Sequence, residues 1–567
     1  MSSRRDFLKL MARAAACGMT VRFVTLFDRA RALAQTQVPA RLRADSAGIF
    51  DLSVASGDPS TSGVVLWTHL RRDAVISELP LLFQVASDAA FIELVIEGAV
   101  PASEIGPAQD YTVRVDLDGR LSAGQRYYYR FVYGDITSNI GRCRTLATGQ
   151  LNGLKLALLT CQDYTNGYYG ALRHLALDES IDFVVHLGDF IYESAGDPSF
   201  QSLPFDDRRV VLPSGAAVSQ GLDDYRSLYR TYRADVWLQR ALETHTFIIS
   251  HDDHETANDC YWDYEFDTLG APDHPFAGDA GALRQLKLDS QRAWLEYVPA
   301  RVNVRGATHP HDYFESYRSF RFGDLTQLNM LDTRTYREPH PCGEGRVFER
   351  YLPIECDAWR DAGRSMLGDA QRNWLAEKLG ERGALWNVLG NQTFFAQLSL
   401  GGALPINVDA WDGYDAERRW LTTEFRNRGT SNPVVLTGDL HSYIAAELKY
   451  DYNNINPLDL NNYAGVEFMT PSVTTGALFE SLASELQGDP ALLDGLTGAA
   501  VFLTNPHIKF FESRSHGYSV LEFTRTYCEW TAYAIDKNVD PEVATRSTLA
   551  RMRKYTFLAT LVPMSTS

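Results

Sequence analysis

The sequence predicts an α/β fold that is preceded by an all-β domain, and three observations carry this prediction. Short alternating apolar runs, separated by turn residues, fill the chain from about residue 50 to residue 148. From Leu154 onward, strand-like apolar runs alternate with amphipathic helical stretches, which is the pattern of an α/β domain. The 567 residues are enough for a large core and at least one further domain.

The all-β segment is defined by four apolar runs that alternate as half-buried strands do. These runs lie at residues 64–67, 82–85, 111–115 and 127–131. Turn residues such as Gly57-Asp58-Pro59 and Gly134-Asp135 separate them. We interpret this segment as a β-sandwich that carries no chemistry of its own.

The second part of the chain shows helical periodicity between its apolar runs. The spacing predicts helices over residues 223–244, 284–297, 367–382 and 414–427. Residues 510–533 are predicted to form one or two strands. Residues 541–553 are predicted to form a terminal helix, because proline stands at its first position.

The net charge of the chain indicates which kinds of partner it can bind. The net charge is -18, and an acidic surface of this size disfavours a stable complex with nucleic acid. It is compatible with phosphate ligands when metal ions supply the local positive charge. No apolar run reaches the roughly 18–20 residues that a membrane-spanning helix needs.

Residues 1–34 are predicted to be an export signal. Arg4-Arg5 and the residues around them resemble the twin-arginine motif, and Ala32-Leu33-Ala34 resembles a cleavage site. A basic amphipathic helix is the alternative, and Arg13 and Arg22 interrupt the stretch that should be apolar. The signal predicts a periplasmic or secreted protein that uses the twin-arginine export machinery.

Six cysteines follow the predicted signal, and an oxidising compartment would allow some of them to pair. Cys342 and Cys356 are close in sequence and flank a polar loop. We predict a disulfide between them, although sequence spacing alone does not determine connectivity.

Five apolar runs end in residues that can bind metal ions. The runs and the residues that follow them are 156–159 with Cys161-Gln162-Asp163, 183–187 with Gly188-Asp189-Phe190-Ile191-Tyr192, 247–249 with His251-Asp252-Asp253-His254-Glu255, 386–389 with Gly390-Asn391-Gln392, and 434–436 with Gly438-Asp439-Leu440-His441. Taken singly, an aspartate after a strand is more often a turn residue or a helix cap. In layered α/β folds, however, functional residues gather at the carboxyl ends of the strands, so the five together predict one site.

The ligand types indicate two kinds of ion. A cysteine thiolate, a tyrosine phenolate, a carboxylate and an imidazole suit a redox-capable transition ion, and Fe³⁺ is the natural partner of a phenolate. A second group offers only oxygen ligands, which suit Ca²⁺, Mg²⁺ or Mn²⁺. This second group consists of Asp252, Asp253, Asn258, Asn391 and Asp439. Asp189 is placed to bridge the two kinds of ion.

The motifs resemble those of known phosphoesterases. GDxxY at 188–192 matches the second motif of purple acid phosphatases. DDHE at 252–255 and GDLH at 438–441 stand where calcineurin-like metallophosphoesterases carry GNHE and GHxH. Together with CQD at 161–163 and GNQ at 390–392, the set resembles the alkaline phosphatase D (PhoD) family over nearly the whole chain.

The resemblance implies a domain plan. It implies a twin-arginine signal over residues 1–34 and a fibronectin-III-like β-sandwich over residues 46–148. A metallophosphoesterase domain, a four-layer β-sandwich flanked by helices, would cover residues 152–540. A C-terminal helix and tail would cover residues 541–567.

The resemblance also implies a ligand set. Fe³⁺ would be held by Cys161, Asp189, Tyr192 and His441. One or two Ca²⁺, replaceable by Mn²⁺ or Mg²⁺, would be held by Asp189, Asp253 and Asp439 together with Asp252, Asn258 or Asn391. His254 falls where related enzymes place a histidine that contacts the substrate and protonates the leaving group. His251 departs from the tryptophan of the family, and we interpret it as a space-filling residue.

The function implied is hydrolysis of phosphomonoesters and phosphodiesters by a metal-activated hydroxide, for phosphate scavenging outside the cytoplasm. Arg334 is a candidate for substrate binding, and a structural ion pair with Asp332 or another neighbour is the alternative. Two other functions stay open: a phospholipase D that acts on lipid headgroups, and a non-catalytic secreted binding protein. The intact ligand set argues against the latter.

Overall fold

The computed structural model describes residues 42–197, 201–345, 349–400, 404–478, 498 and 501–566. The predicted export signal, residues 1–34, lies outside the described residues. Among the described helices, none combines the length and the apolar character that a bilayer span requires.

The strands carry the architecture, and we number them in chain order. The first eleven are β1 (Arg43–Ala44), β2 (Val54–Gly57), β3 (Val65–His69), β4 (Leu81–Ala86), β5 (Leu94–Val100), β6 (Thr112–Asp116), β7 (Arg126–Tyr133), β8 (Ile136–Thr137), β9 (Gly141–Arg144), β10 (Gly153–Leu159) and β11 (Phe183–His186). They are followed by β12 (Thr246–Ile249), β13 (Tyr261–Asp263), β14 (Thr268–Gly270), β15 (Asn303–Val304), β16 (Phe314–Glu315), β17 (Arg318–Phe322), β18 (Thr326–Met330), β19 (Trp386–Gly390) and β20 (Ser399–Leu400). The last are β21 (Leu404–Pro405), β22 (Pro433–Thr437), β23 (Tyr443–Lys449), β24 (Tyr463–Met469), β25 (Ile508–Glu512), β26 (Gly517–Thr524), β27 (Tyr527–Ile535), β28 (Arg546–Tyr555) and β29 (Leu561–Pro563).

Six α-helices lie wholly within the described residues. They are α1 (Gly170–Ala176), α2 (Leu222–Arg233), α3 (Val236–Thr244), α4 (Ala280–Tyr297), α5 (Gly368–Gly380) and α6 (Asp415–Asn427). The predictions near residues 284–297, 367–382 and 414–427 are confirmed. The single helix predicted over residues 223–244 is instead two helices, because the Asp235 carboxylate accepts the backbone N–H groups of Trp237 and Leu238 and starts a new helix.

Two large sheets form the centre of the molecule. The first runs β29-β28-β27-β26-β10-β11-β12-β2-β3-β6, and the second runs β17-β18-β19-β22-β24-β23-β25. Apolar residues fill the space between them, among them Leu156, Val185 and Ile248 from the first sheet and Leu328, Val388 and Val434 from the second. The outer face of the first sheet packs against α1 to α4, and that of the second packs against α5 and α6. The result is an α/β fold of four layers.

The parallel strands of both sheets direct their carboxyl ends to one site. β10, β11 and β12 are parallel neighbours in the first sheet. β18, β19, β22 and β24 are parallel neighbours in the second. All five apolar runs that precede ligand-type residues are therefore strands in these two sets, as predicted.

The N-terminal segment is all-β, as predicted, and its own apolar core lies between two layers of strands, one of which continues into the first large sheet. β4, β5, β7, β8 and β9 form a sheet with β1, whereas β2, β3 and β6 extend the first large sheet. β2 pairs in parallel with β12, with Gly57 opposite Phe247. A side chain at Gly57 would come within 2.2 Å of the Pro299 carbonyl oxygen, so glycine permits this close approach. Its likeness to fibronectin III stays a prediction.

The terminal helix predicted over residues 541–553 is wrong. Residues Arg546–Tyr555 form β28, which pairs antiparallel with β27 and β29. Ala550, Met552 and Lys554 are buried at every second position, which is the period of a strand rather than a helix. Pairing with a neighbouring strand outweighs the helical start that Pro541 indicated.

The predicted disulfide is confirmed. Cys342 and Cys356 are bonded, with their Cα atoms 5.8 Å apart. Within the described part of the chain, Cys143, Cys161, Cys260 and Cys528 are buried and unpaired.

Candidate metal centre

The ligand-type residues that follow the strands converge on one buried site between the two sheets. Three groups of side chains place possible ligand atoms within 4.8 Å of one another. They are Cys161, Asp189 and His441; Asp189, Asp253 and His254; and Asp252, Asp253 and Asp439. Asp189 and Asp253 each belong to two groups, so the three form one continuous cluster.

The first part of the cluster combines sulfur, oxygen and nitrogen atoms. Cys161 Sγ and the Tyr192 hydroxyl each donate to Asp189 Oδ2, at 3.2 Å. The Tyr192 hydroxyl also lies 3.5 Å from His441 Nε2. We refer to Cys161, Asp189, Tyr192 and His441 as the cysteine cluster. These are the four residues that the sequence predicted to share one ion.

A hydrogen bond to the backbone fixes the orientation of the His441 ring. Its Nδ1 lies 2.7 Å from the Gly476 carbonyl oxygen, so Nδ1 carries the hydrogen and donates it. Nε2 is then the atom that faces the cysteine cluster. Burial lowers the pKa of His441 to about 4, which keeps the imidazole neutral. A neutral ring whose second nitrogen is held by a carbonyl is the usual form of a metal-binding histidine.

The second part of the cluster is made of carboxylates. Asp252, Asp253 and Asp439, here the aspartate cluster, are packed against the buried guanidinium of Arg334. Asp252 Oδ2 and Asp253 Oδ1 are buried and accept no hydrogen bond from any described residue. A buried carboxylate oxygen without a donor is costly unless a cation or a proton takes the place of the donor. The donor set therefore fits a hard cation.

The protonation of the cluster supports the same conclusion. Burial, together with the neighbouring carboxylates, raises the pKa values of Asp189 and Asp439 well above the usual range of an aspartate. Burial raises the pKa of Asp252 to about 7. Burial also raises the pKa of the Cys161 thiol and the Tyr192 phenol. Without cations the cluster thus holds protons, which bound metal ions would displace.

The backbone at the site is strained. Cys161, Asp189, Asp439 and His441 have positive φ angles of 53°, 56°, 64° and 51°. Residues other than glycine rarely adopt this region, and such strain concentrates at functional sites. Gly188 explains how two of the turns fit together, because a Cβ there would lie 2.5 Å from Asp252 Cβ.

Glu255 holds two of these turns together. Its Oε2 accepts the backbone N–H groups of Asp189 and Asp252 at 3.0 and 2.7 Å, and its Oε1 accepts that of Phe190 at 2.7 Å. The side chain is buried. The glutamate of the DDHE motif therefore supports the ligands without being placed in any of the three ligand groups.

His254 is held by a carboxylate and an aromatic ring. Its Nδ1 lies 2.7 Å from Glu193 Oε2, and its ring lies against that of Tyr192 with centroids 4.1 Å apart. Burial would lower the pKa of His254, but Glu193, Asp253 and Asp189 outweigh burial and raise it well above its usual range. These three carboxylates therefore favour the charged form of the His254 imidazole.

Three other residues singled out by the sequence have their contacts outside the three groups. The Asn258 amide donates to Asp259 and Asp273, and Asn391 is held between the Trp411 indole and the Thr393 carbonyl. Their role as ligands stays a prediction. His251 bonds to Asp332 and Ser316 and packs against Trp294 and Phe314, in agreement with a space-filling role.

Arg334 forms the structural ion pairs that were the alternative to substrate binding. Its guanidinium contacts Asp252 at 2.5 Å, Asp439 at 2.6 Å and Asp409 at 2.8 Å. A fourth carboxylate oxygen, Asp253 Oδ1, lies 3.6 Å from Arg334 Nη2, whereas Asp332 Oδ1 accepts the backbone N–H of Arg334. A direct contact of Arg334 with substrate stays a prediction.

Several supporting residues were missed by sequence reasoning. Glu255 ends the DDHE motif and Glu193 directly follows GDxxY, but a glutamate that binds a backbone N–H or a histidine leaves no separate signal. Thr475 and Gly476 follow β24, a sixth strand whose carboxyl end reaches the site. The Thr475 hydroxyl donates to the Cys161 carbonyl at 2.8 Å. No ligand-type residue marks that turn, so nothing in its composition indicated a site.

Comparisons with known proteins identify the family to which the chain belongs. The family models described as "PhoD-like phosphatase, N-terminal domain" and "PhoD-like phosphatase" match residues 35–147 and 156–532. Alkaline phosphatase D of Bacillus subtilis (strain 168) is 33% identical over 493 residues, which cover 85% of this chain and 76% of that protein. A solved structure described as "Structure of PhoD" superposes with a TM-score of 0.77 at 28% identity, covering 92% of this chain and 93% of its own. The chain therefore belongs to the PhoD-like phosphatase family and is a phosphoesterase.

Proposed function

We propose that this protein is an exported, metal-dependent phosphoesterase that hydrolyses phosphomonoesters and phosphodiesters and so releases phosphate for uptake. The observation that carries the proposal is the buried cluster at the strand ends, in which one sulfur, one phenol, two imidazoles and several carboxylates lie within ligand distance. Fe³⁺ suits the cysteine cluster, and Ca²⁺, or Mn²⁺ or Mg²⁺, suits the aspartate cluster.

The chain's own residues supply position and protons. When bound, the cations would polarise the phosphoryl oxygens and lower the pKa of a water molecule. Asp189 lies between the two clusters and is suited to hold both ions at a fixed separation. His254, charged and held by Glu193, is suited to protonate the leaving alkoxide.

Export is supported by the chain itself. The twin arginines at residues 4 and 5 and the small residues at 32–34 have the form of an export signal. The Cys342–Cys356 disulfide fits an oxidising compartment. We infer a periplasmic or secreted location, which fractionation of cells that produce the protein would test.

Nitrophenol release tests the activity. The purified protein should hydrolyse nitrophenyl phosphate and bis-nitrophenyl phosphate, and added Ca²⁺ should increase both rates. We expect faster release from the diester. A protein that contains iron, is supplied with Ca²⁺ and hydrolyses neither ester nor a phospholipid would contradict the proposal. Hydrolysis of phospholipid alone would favour the phospholipase D alternative.

The role of His254 should be visible in the leaving group. Nitrophenolate leaves without a proton, whereas an alkoxide needs one, so His254→Gln should slow alkyl esters more than nitrophenyl esters. General acid catalysis contributes roughly 10²–10⁴-fold, which sets the expected loss in kcat/KM for an alkyl phosphate. The measurement is the ratio of kcat/KM for glycerol phosphate to that for nitrophenyl phosphate.

His251→Gln is the matched comparison for this ratio. His251 is a buried histidine three residues away that contacts Asp332 instead of Glu193. Its replacement should leave the ratio unchanged even if stability falls. Equal losses on both esters in His254→Gln would exclude His254 as the proton donor.

A further inference from the structure

A loop closed by the disulfide is connected to the aspartate cluster through a series of hydrogen bonds. We define the disulfide loop as residues 342–356, of which 342–345 and 349–356 are described. Arg350 is the buried charge of this loop, with 1% of its surface exposed. A guanidinium buried to this degree is found where it binds specific carboxylates, and Arg350 binds two.

The contacts of Arg350 lead to a predicted metal ligand. Its Nη1 lies 2.7 Å from Asp259 Oδ2 and 2.7 Å from Asp273 Oδ2. Tyr351 adds a second contact, since its hydroxyl donates to Asp259 Oδ2 at 2.7 Å. The backbone N–H of Asp259 then donates to Asp253 Oδ2 at 2.6 Å. Asp259 thus fixes one oxygen of Asp253. The other oxygen accepts no hydrogen bond within the described part of the chain and lies 3.6 Å from Arg334 Nη2.

The same region supports the cluster from a second side. His340 precedes the loop by two residues and bridges Glu344 Oε2 at 2.8 Å and Asp409 Oδ1 at 2.9 Å. Asp409 Oδ2 in turn contacts Arg334 Nη1 at 2.8 Å. Arg334 is the cation packed against the aspartate cluster, so both lines of contact end at that cluster.

We propose that Arg350 is a positioning residue for divalent cation binding by the aspartate cluster, acting from the disulfide loop through Asp259 on Asp253. The proposal rests on the proposed function in one respect, because it takes the aspartate cluster to be a cation site. Arg350 itself contacts neither cation nor substrate in this scheme.

Position and charge predict opposite results when Arg350 is replaced. Arg350→Gln removes a positive charge near a cation site, so charge alone would make Ca²⁺ bind more tightly. Loss of positioning would make Ca²⁺ bind more weakly, by about 10- to 100-fold, as for other residues that orient metal ligands. The direction of the change therefore separates the two accounts.

The experiment is calorimetric titration of Ca²⁺ alone into the iron-containing, calcium-depleted full-length protein. Arg350→Gln should raise the Kd by about 10- to 100-fold. Arg350→Lys keeps the charge but not the two-pronged geometry, and it should also raise the Kd. Tyr351→Phe removes a single hydroxyl and should raise the Kd a few-fold. This mild variant tests the proposal even if the changes at Arg350 prevent folding.

Arg418→Gln is the matched control. Like Arg350, Arg418 is buried and pairs with two carboxylates, which in its case are Asp412 and Asp415. None of its described contacts reaches the aspartate cluster. It should lose stability and keep the Kd for Ca²⁺. Iron content should stay unchanged in all four variants. Serine at both Cys342 and Cys356, which opens the loop, should shift the Kd in the same direction as Arg350→Gln.

Three results would overturn the proposal. The Kd for Ca²⁺ could be unchanged or lower in Arg350→Gln and unchanged in Tyr351→Phe, or it could rise as much in Arg418→Gln as in Arg350→Gln. The third such result is that the wild type binds no Ca²⁺. The readout does not depend on catalysis. If the Kd rises as expected while the wild type hydrolyses no phosphoester, the positioning role stands and the proposed function fails.

Discussion

Replacing Asp189 by asparagine should abolish phosphoester hydrolysis while leaving the metal-free protein at least as stable as the wild type. Asp189 belongs to the cysteine cluster and shares a second ligand group with Asp253 of the aspartate cluster, so we expect its loss to weaken both ion sites. Metal ions supply several kcal/mol of transition-state stabilisation, and we expect kcat to fall by roughly a thousandfold or more. The release of nitrophenol and the iron and calcium content per chain are the measurements.

The stability expectation follows from the protonation of the site. Burial and the neighbouring carboxylates raise the pKa of Asp189 well above its value in the unfolded chain. Above the unfolded pKa, a carboxyl of this kind costs folding free energy, and asparagine resembles its protonated form. Asparagine also keeps an oxygen that can accept from Cys161 and Tyr192, and it gives up one long bond, the 3.3 Å contact that Asp189 Oδ1 accepts from the His254 backbone N–H. The melting temperature of the metal-free variant should therefore equal or exceed that of the wild type.

Asp412→Asn is the control, and it should change stability and activity in the opposite way to Asp189→Asn. Asp412 is also a buried aspartate, but it pairs with Arg418 and lies in none of the three ligand groups. Its variant should lose stability and keep activity. An active Asp189→Asn protein with full metal content would contradict the assignment of the site.

The strands that carry the site could be predicted because their signal is local. Runs such as 183–187 and 434–436 are short and apolar, and each is bounded by glycine, so period and length suffice. Long-range pairing could not be predicted. β2 joins β12 although Gly57 and Phe247 are 190 residues apart in the chain. The residues near 546–555 form a strand because β27 offers a partner, a fact that no local pattern contains.

The site divides in the same way. Cys161, Asp189, Tyr192 and His441 could be predicted to meet because each follows a parallel strand and each has a side chain typical of a metal ligand. The residues that orient them could not. Gly476 acts through its carbonyl, which every residue possesses. Arg350 acts through a loop whose position depends on a disulfide and two carboxylates that are distant in sequence.

Glu255→Gln should have the second large effect, because one carboxylate fixes two ligand turns. Its two oxygens accept three buried N–H groups, from Asp189, Phe190 and Asp252. Glutamine replaces one oxygen with an amide that donates, so at least one N–H loses its acceptor. An unsatisfied buried donor costs about 1–3 kcal/mol, and the melting temperature should fall by a few degrees. Both ion sites should bind more weakly, by about 10- to 100-fold.

Glu417→Gln separates the loss of stability from the loss of function. Glu417 is likewise buried and accepts the backbone N–H groups of Met366 and Leu367, but it belongs to α6 and its described contacts lie outside the ligand groups. The two variants should lose similar stability, whereas only Glu255→Gln should lose iron, calcium and activity together. If Glu255→Gln keeps wild-type metal affinity at a lower melting temperature, Glu255 supports the fold and not the metal centre. If metal affinity falls in step with activity, the turns at Asp189 and Asp252 depend on its carboxylate for their position.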